Sequence, residues 1–233
     1  MRKLLTSSLL ALALFFAPAA VFAAEITVIH GISGSAIGLD ADLPVDIYAN
    51  GALLLAGVTF TQSATLEVPA DTYDISVFLA GSDPNTDAPV LTLSATLAEN
   101  DDVDIVAHLT PGPGIALTPF FNNTVPQITG AISPRISERQ TRLTVRHGAD
   151  FPRAAINRLV TAFELSFVNG QEFVLDLDPG DYRFWLSRLG GLRPLSFDPV
   201  SVSLAADTHY YAYAVGSWRD GSFQLLLLAE DFE

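Results

Sequence analysis

The sequence predicts an all-β protein: two tandem β-sandwich domains behind a signal peptide. Three observations carry that reading. Apolar and polar residues alternate over short stretches separated by Gly, Asn and Pro. Four sequence blocks recur in the same order in the two halves. A basic, apolar leader opens a chain of 233 residues that otherwise favours carboxylates, with 26 acidic against 12 basic side chains, a net charge of −14 and no Cys.

The leader reads Met1-Arg2-Lys3, then an apolar run from Leu9 to Phe16, then Pro18 and the small-residue stretch ending Val21-Phe22-Ala23. A basic start, a short apolar core and a Val-x-Ala site predict cleavage after Ala23. The run is too short to span a bilayer, which takes about 20 apolar residues. Cleavage removes Arg2 and Lys3, the only lysine, and leaves 10 Arg against 26 acids, a net of −16. The mature chain is expected to be exported, periplasmic or extracellular, with no membrane span.

The strand signal follows. Thr65-Leu66-Glu67-Val68, Leu91-Thr92-Leu93-Ser94-Ala95 and Val200-Ser201-Val202-Ser203-Leu204 show the period-2 alternation of half-buried strands. Turn residues fall at Asn50-Gly51, Asn169-Gly170 and Pro179-Gly180-Asp181. Only Arg153 to Phe163 reads as a short helix.

The repeat sets the boundaries. Ile26-Thr27-Val28-Ile29-His30-Gly31 returns as Leu143-Thr144-Val145-Arg146-His147-Gly148. Pro69-Ala70-Asp71-Thr72-Tyr73 is echoed by Asp178-Pro179-Gly180-Asp181-Tyr182. Leu97-Ala98 aligns with Leu204-Ala205, and Val103 to Ala107 with Tyr210 to Ala214. The expected organisation is a signal peptide over 1–23, a first sandwich over 24–122, a linker over 123–139 and a second sandwich over 140–233.

A first strand ending in His30, then Val45-Asp46-Ile47-Tyr48-Ala49-Asn50-Gly51, then Pro69-Ala70-Asp71-Thr72-Tyr73, resembles the exported bacterial family DUF4397. The resemblance implies domains in tandem, export and no assigned activity. The second copy keeps the His147 strand, the Pro179-Gly180-Asp181-Tyr182 turn and the run from Tyr210 to Gly216. It has Ala154-Ala155-Ile156-Asn157 where the Val-Asp-x-Tyr element would stand. Similar turn-Tyr signatures occur in immunoglobulin-like and transthyretin-like sandwiches.

Composition narrows the chemistry. Without Cys there is no disulfide framework, thiolate metal site or Cys nucleophile. An acidic chain lacks the clustered cations of a nucleic-acid binder. Gly31-Ile32-Ser33-Gly34-Ser35 lacks the second Gly of a nucleophile elbow and has no helix pattern after it. His30 and His147 occupy equivalent strand ends, where burial against a loop carbonyl explains the repetition as well as a ligand role does; Asp46 could orient His30, but Ala155 stands at its place in the second copy, so the pair is not a shared device. No His pair has metal spacing. Asp40-Ala41-Asp42 and Glu99-Asn100-Asp101-Asp102-Val103-Asp104 could offer oxygens to calcium, but they lack a known loop spacing and read equally as turns. No catalytic set, cofactor or metal site is expected.

Binding chemistry remains. By alternation from Asp104, Tyr211 and Tyr213 share the outer face of their strand, with Trp218 close in sequence, a strip able to stack on a sugar or to cover a domain interface. Charge divides unevenly: Ala24 to Gly130 holds 13 acids and no Lys or Arg, whereas Ala131 to Glu233 holds 13 acids and all 10 remaining arginines. Arg142 and Arg146 belong to a cluster that would suit an anion, or serve domain docking. The expected function is an exported, non-enzymatic binding or structural module whose partner is a protein or glycan of the cell envelope. The alternatives are a carbohydrate-binding protein using Tyr211, Tyr213 and Trp218, or a hydrolase using Asp40, Asp42 or Asp46.

Overall fold

A computed structural model describes residues 2–3, 23–112, 114–122, 140–150, 154–158, 165–187 and 200–231. The leader's apolar run and the 123–139 linker lie outside the described residues. The fold is nearly all strand. Its one helical element among the described residues is the 3-10 turn Gly34–Ile37, and no helix there is long and apolar enough to cross a membrane.

The strands run β1 (Arg2–Lys3), β2 (Ala23–Gly31), β3 (Val45–Ala49), β4 (Ala52–Val58), β5 (Ser63–Pro69), β6 (Thr72–Leu79), β7 (Leu91–Thr96), β8 (Asp102–Thr110) and β9 (Gly114–Phe121). They continue as β10 (Thr141–His147), β11 (Ala154–Arg158), β12 (Leu165–Phe167), β13 (Glu172–Leu177), β14 (Gly180–Ser187), β15 (Val200–Leu204), β16 (Thr208–Val215) and β17 (Gln224–Asp231). They fall into two compact units, one holding β2 to β9 and the other β1 and β10 to β17.

In the unit of β2 to β9, a sheet of order β5-β2-β8-β9 faces one of order β4-β3-β6-β7. Alternation on β2 and β8 sends Ile26, Val28, Val103 and Ile105 inward, where they meet Val45, Ile47, Ile75 and Val77 from the other sheet in one core. Burial of each such side chain contributes about 1.5–3 kcal/mol before entropy is counted. Asn50 and Gly51 link β3 to β4 with φ of 50° and 77°, the pair of left-handed residues that a two-residue type I′ hairpin needs.

The other unit repeats this order: β13-β10-β16-β17, with β1 added beside β17, and β12-β11-β14-β15. Leu143, Val145, Phe173 and Ala212 pack inward against Tyr182, Val202 and Leu204. The registers correspond residue by residue. Parallel pairing sets Thr27 opposite Asp104 in one unit and Thr144 opposite Tyr211 in the other. The stretch that reads locally as a helix is a strand over residues 154–158, because β11 lies between β12 and β14, and pairing on both edges overrides weak helix propensity.

Two further devices repeat. The main chain of His30 exchanges hydrogen bonds with Thr61 and Gln62, and that of His147 with Gly170 and Gln171. The Gln62 and Gln171 amides accept from the Thr59 and Val168 N–H groups at 2.8 and 3.1 Å, closing equivalent turns. The turn signals Pro69 to Tyr73 and Asp178 to Tyr182 are both tyrosine corners. The hydroxyl of Tyr73 donates to the Pro69 carbonyl at 2.8 Å, and that of Tyr182 to the Asp178 carbonyl.

Candidate functional site

The outer face of the β13-β10-β16 sheet differs from its expected exposure. Tyr211 and Tyr213 do share that face, but they are 3% and 1% exposed, so they form no open strip for a sugar. Asp104, the residue by which an outward-exposed face is inferred, is buried too. Alternation sets which face a side chain joins, and only the surroundings of that face set its exposure.

The arginines are matched by the chain's own carboxylates. Arg146, 2% exposed, donates from Nε to Glu172 Oε2 at 3.0 Å and from Nη1 to the Tyr213 hydroxyl at 2.9 Å. Its guanidinium also lies 5.0 Å from the Tyr211 ring centroid. Arg142 grips Asp176 with two bonds, Nε to Oδ1 at 2.7 Å and Nη2 to Oδ2 at 3.0 Å. The His209 ring stacks on Tyr211 at 4.0 Å, and its Nε2 is 2.8 Å from the Thr144 hydroxyl. Removing a guanidinium from water is costly unless a partner compensates it, so these carboxylates occupy the positions an external anion would take. Trp218 stands apart from this network in the β16–β17 turn, 40% exposed, with the Arg219 guanidinium 5.4 Å from its ring. Arg219 Nε is 3.2 Å from Asp150 Oδ2.

Most of the groups considered for chemistry are also engaged by the fold, and His147 is buried. Ile32 N–H donates to His30 Nδ1 at 3.3 Å, and His30 Nε2 donates to the Leu43 carbonyl at 2.9 Å, which defines a neutral tautomer. Burial pulls its pKa below the usual imidazole value, partly opposed by the Leu43 carbonyl. His108 is lowered for the same reason and bonds the Leu109 carbonyl and the Thr118 hydroxyl. Asp46 does not orient His30. Its two oxygens accept from Gly57 and Gly81 N–H groups at 2.8 and 3.3 Å. Asp40 and Asp42 are exposed, and their carbonyls accept from Leu43 and Phe60. In the Glu99 to Asp104 run, Asp101 caps the Ala98 N–H, while Asp102 and Asp104 accept from the Asn122 amide.

The recess that sequence reasoning missed lies in the unit of β2 to β9. A cleft of about 290 Å³ opens where β4 and β5 bound the two sheets. Its lining includes Ile26, Leu53, Leu54, Val68, Pro69 and Tyr73, and Leu53 at its edge is 54% exposed. The signal available in sequence was the run Ala52-Leu53-Leu54-Leu55-Ala56, which breaks alternation in a strand that has a solvent-facing side.

Fold and site together define a β-sandwich protein with an apolar cleft in the unit of β2 to β9. Residues 24–157 match the family model described as domain of unknown function DUF4397, and the chain belongs to that family. A search of curated proteins found no match. Among solved structures, it is similar to the Bacillus anthracis TIE protein at 11% identity and a TM-score of 0.24, over 84% of this chain and 33% of that one. The chain thus spans about a third of that protein's structure. It is similar to a candidate cell adhesion protein from Bacteroides uniformis at 12% identity and a TM-score of 0.26, over 92% and 98% of the two chains. A family 26 carbohydrate-binding module from Eubacterium rectale Amy13K, solved with maltoheptaose, shows 11% identity and a TM-score of 0.26, over 87% and 96%.

Proposed function

We propose that the protein is an exported, non-enzymatic binding module that holds a partner at or outside the cell envelope. One observation carries this reading: the cleft beside β4 is mainly apolar, and apart from the Asp71 carboxylate the polar side chains in its wall are already used by the fold. The Asn50 amide bridges the Thr72 carbonyl and the Asp74 N–H, and the Tyr73 hydroxyl bonds Pro69. Such a recess offers contact rather than chemistry. A carboxylate-dependent hydrolase needs two acids facing one recess, and this lining contains one, Asp71. The leader supports export. The test is binding of the mature protein to native envelope fractions. Saturable binding that falls in Leu53→Glu supports the reading, and its absence in wild-type protein refutes it.

A glycan reading retains one specific observation, the exposed Trp218 beside Arg219. A glycan array decides it: binding lost in Trp218→Ala supports it, and no binding by wild-type protein removes it.

A further inference from the structure

We propose that β4 and the cleft beside it take an extended peptide segment of a partner protein. The segment adds as a strand to the outer edge of β4, drops an aliphatic side chain into the cleft and sets Lys or Arg against the Asp71 carboxylate. This rests on the binding reading above and names its site and partner class.

The edge comes first. In the order β4-β3-β6-β7, β4 is terminal, and no strand pairs with its other side among the described residues. Proteins usually blunt such an edge with a charge, a proline or a short strand. Ala52-Leu53-Leu54-Leu55-Ala56-Gly57-Val58 has seven residues and none of those side chains. The neighbouring edge β5 does carry Glu67 and Pro69. The register of β4 with β3 shifts on either side of Leu55, and Gly57 has a φ of 63°, so the edge is bulged rather than flat. With no charge or proline on it and a leucine held out in water, it still offers main-chain groups for strand addition.

The cleft supplies selectivity. At about 290 Å³ it is at the small end of ligand sites, with room for one or two aliphatic side chains of a strand. Since Asn50 and Tyr73 are engaged internally, its wall rewards apolar contact and offers little to a polar group.

Charge selects the partner. Residues 24–122 hold 13 carboxylates and no Lys or Arg. Asp71 lies in the lining and is exposed, with Oδ1 taking the Thr72 N–H at 2.7 Å and Oδ2 open to a cation. Glu67 and Asp74 are exposed close by in sequence. A second copy would bring the same uncompensated carboxylates to the same edge, which disfavours self-pairing. A strand alternating apolar and basic residues is matched on both counts.

The test uses the full mature chain and a labelled peptide of about eight residues alternating Lys with Thr, Leu and Val. Binding is read by fluorescence anisotropy at low and high salt. Micromolar binding that weakens with salt is expected, with at least about tenfold loss for the Glu-for-Lys analogue and for an analogue N-methylated at alternate residues. Leu53→Lys, which restores an edge charge at an exposed position, is expected to weaken binding by at least about tenfold, and Asp71→Asn by several-fold. No binding by wild-type protein, equal binding of the Glu analogue, or indifference to Leu53→Lys overturns the proposal. If peptide binding is absent while envelope binding persists in Leu53→Lys, the strand site is wrong and the binding reading stands. If envelope binding itself is absent, that reading falls.

Discussion

Arg146 faces Glu172 across the β10–β13 register at 3.0 Å, and the corresponding register of the other unit sets Ile29 opposite Ser63. On the third strand, Tyr213 lies beside Arg146 where Val106 lies beside Ile29. One strand framework therefore accepts a buried ionic network in one unit and an aliphatic contact in the other.

Glu172→Ala leaves a buried guanidinium without its carboxylate and is expected to cost about 3–5 kcal/mol. Replacing both partners, as in Arg146→Met with Glu172→Leu, is expected to cost less than Glu172→Ala alone. Trp185 and Trp218, the only tryptophans, both belong to this half of the chain, so tryptophan fluorescence during urea unfolding reads the effect. A double variant less stable than the single one would contradict it.

Thr61 and Gly170 occupy equivalent turn positions at φ of 72° and 80°. A β-branched residue is strained there and glycine is not. Thr61→Gly is expected to stabilise by about 0.5–1 kcal/mol, and Gly170→Thr to destabilise by about 1–2 kcal/mol. Thermal unfolding followed by circular dichroism measures both, and a destabilised Thr61→Gly would show the threonine to be unstrained.

Tyr182→Phe removes the corner bond to Asp178 from a buried ring. A loss of about 1 kcal/mol is expected, with a smaller loss for Tyr73→Phe, whose bond is exposed to water. Equal losses from urea unfolding would mean that burial of the bond is irrelevant.

Stability should depend on the buried imidazoles. Both His30 and His108 have folded-state pKa values lowered by burial. An unfolded histidine titrates near about 6.5, so below that pH the unfolded chain binds protons that the folded chain does not. Stability is therefore complete above about pH 6.5 and is lost as pH falls from there toward the lowered folded values. Urea midpoints between about pH 7.5 and pH 5 are expected to fall with pH, less steeply in His108→Asn. A flat profile would contradict the burial of neutral imidazole.

Much of the fold was legible because turns and alternation are local. The Asn50-Gly51 hairpin, the Tyr73 and Tyr182 corners, and strands β5, β7 and β15 all lie where short-range pattern points. The matched blocks around His30 and His147 occupy corresponding central strands. The Asn169-Gly170 turn was legible, but its equivalence to the turn closed by Gln62 was not, because the intervening chain differs in length and the matching Gln stands alone. The Ala154 to Arg158 strand was hidden, since its identity comes from pairing with β12 and β14.

By itself the sequence determined the strand periodicity, the repeated blocks, the turn chemistry and the concentration of carboxylates, with no Lys or Arg among them, between Ala24 and Asn122. These follow from residue type and spacing along the chain. Tertiary structure decided which faces are buried, that Arg142 and Arg146 answer to Asp176 and Glu172, and that Leu53 stands at an apolar cleft beside a sheet edge that no described strand pairs. Those outcomes depend on register between strands far apart in sequence, and a period-2 pattern names a face without saying what lies against it.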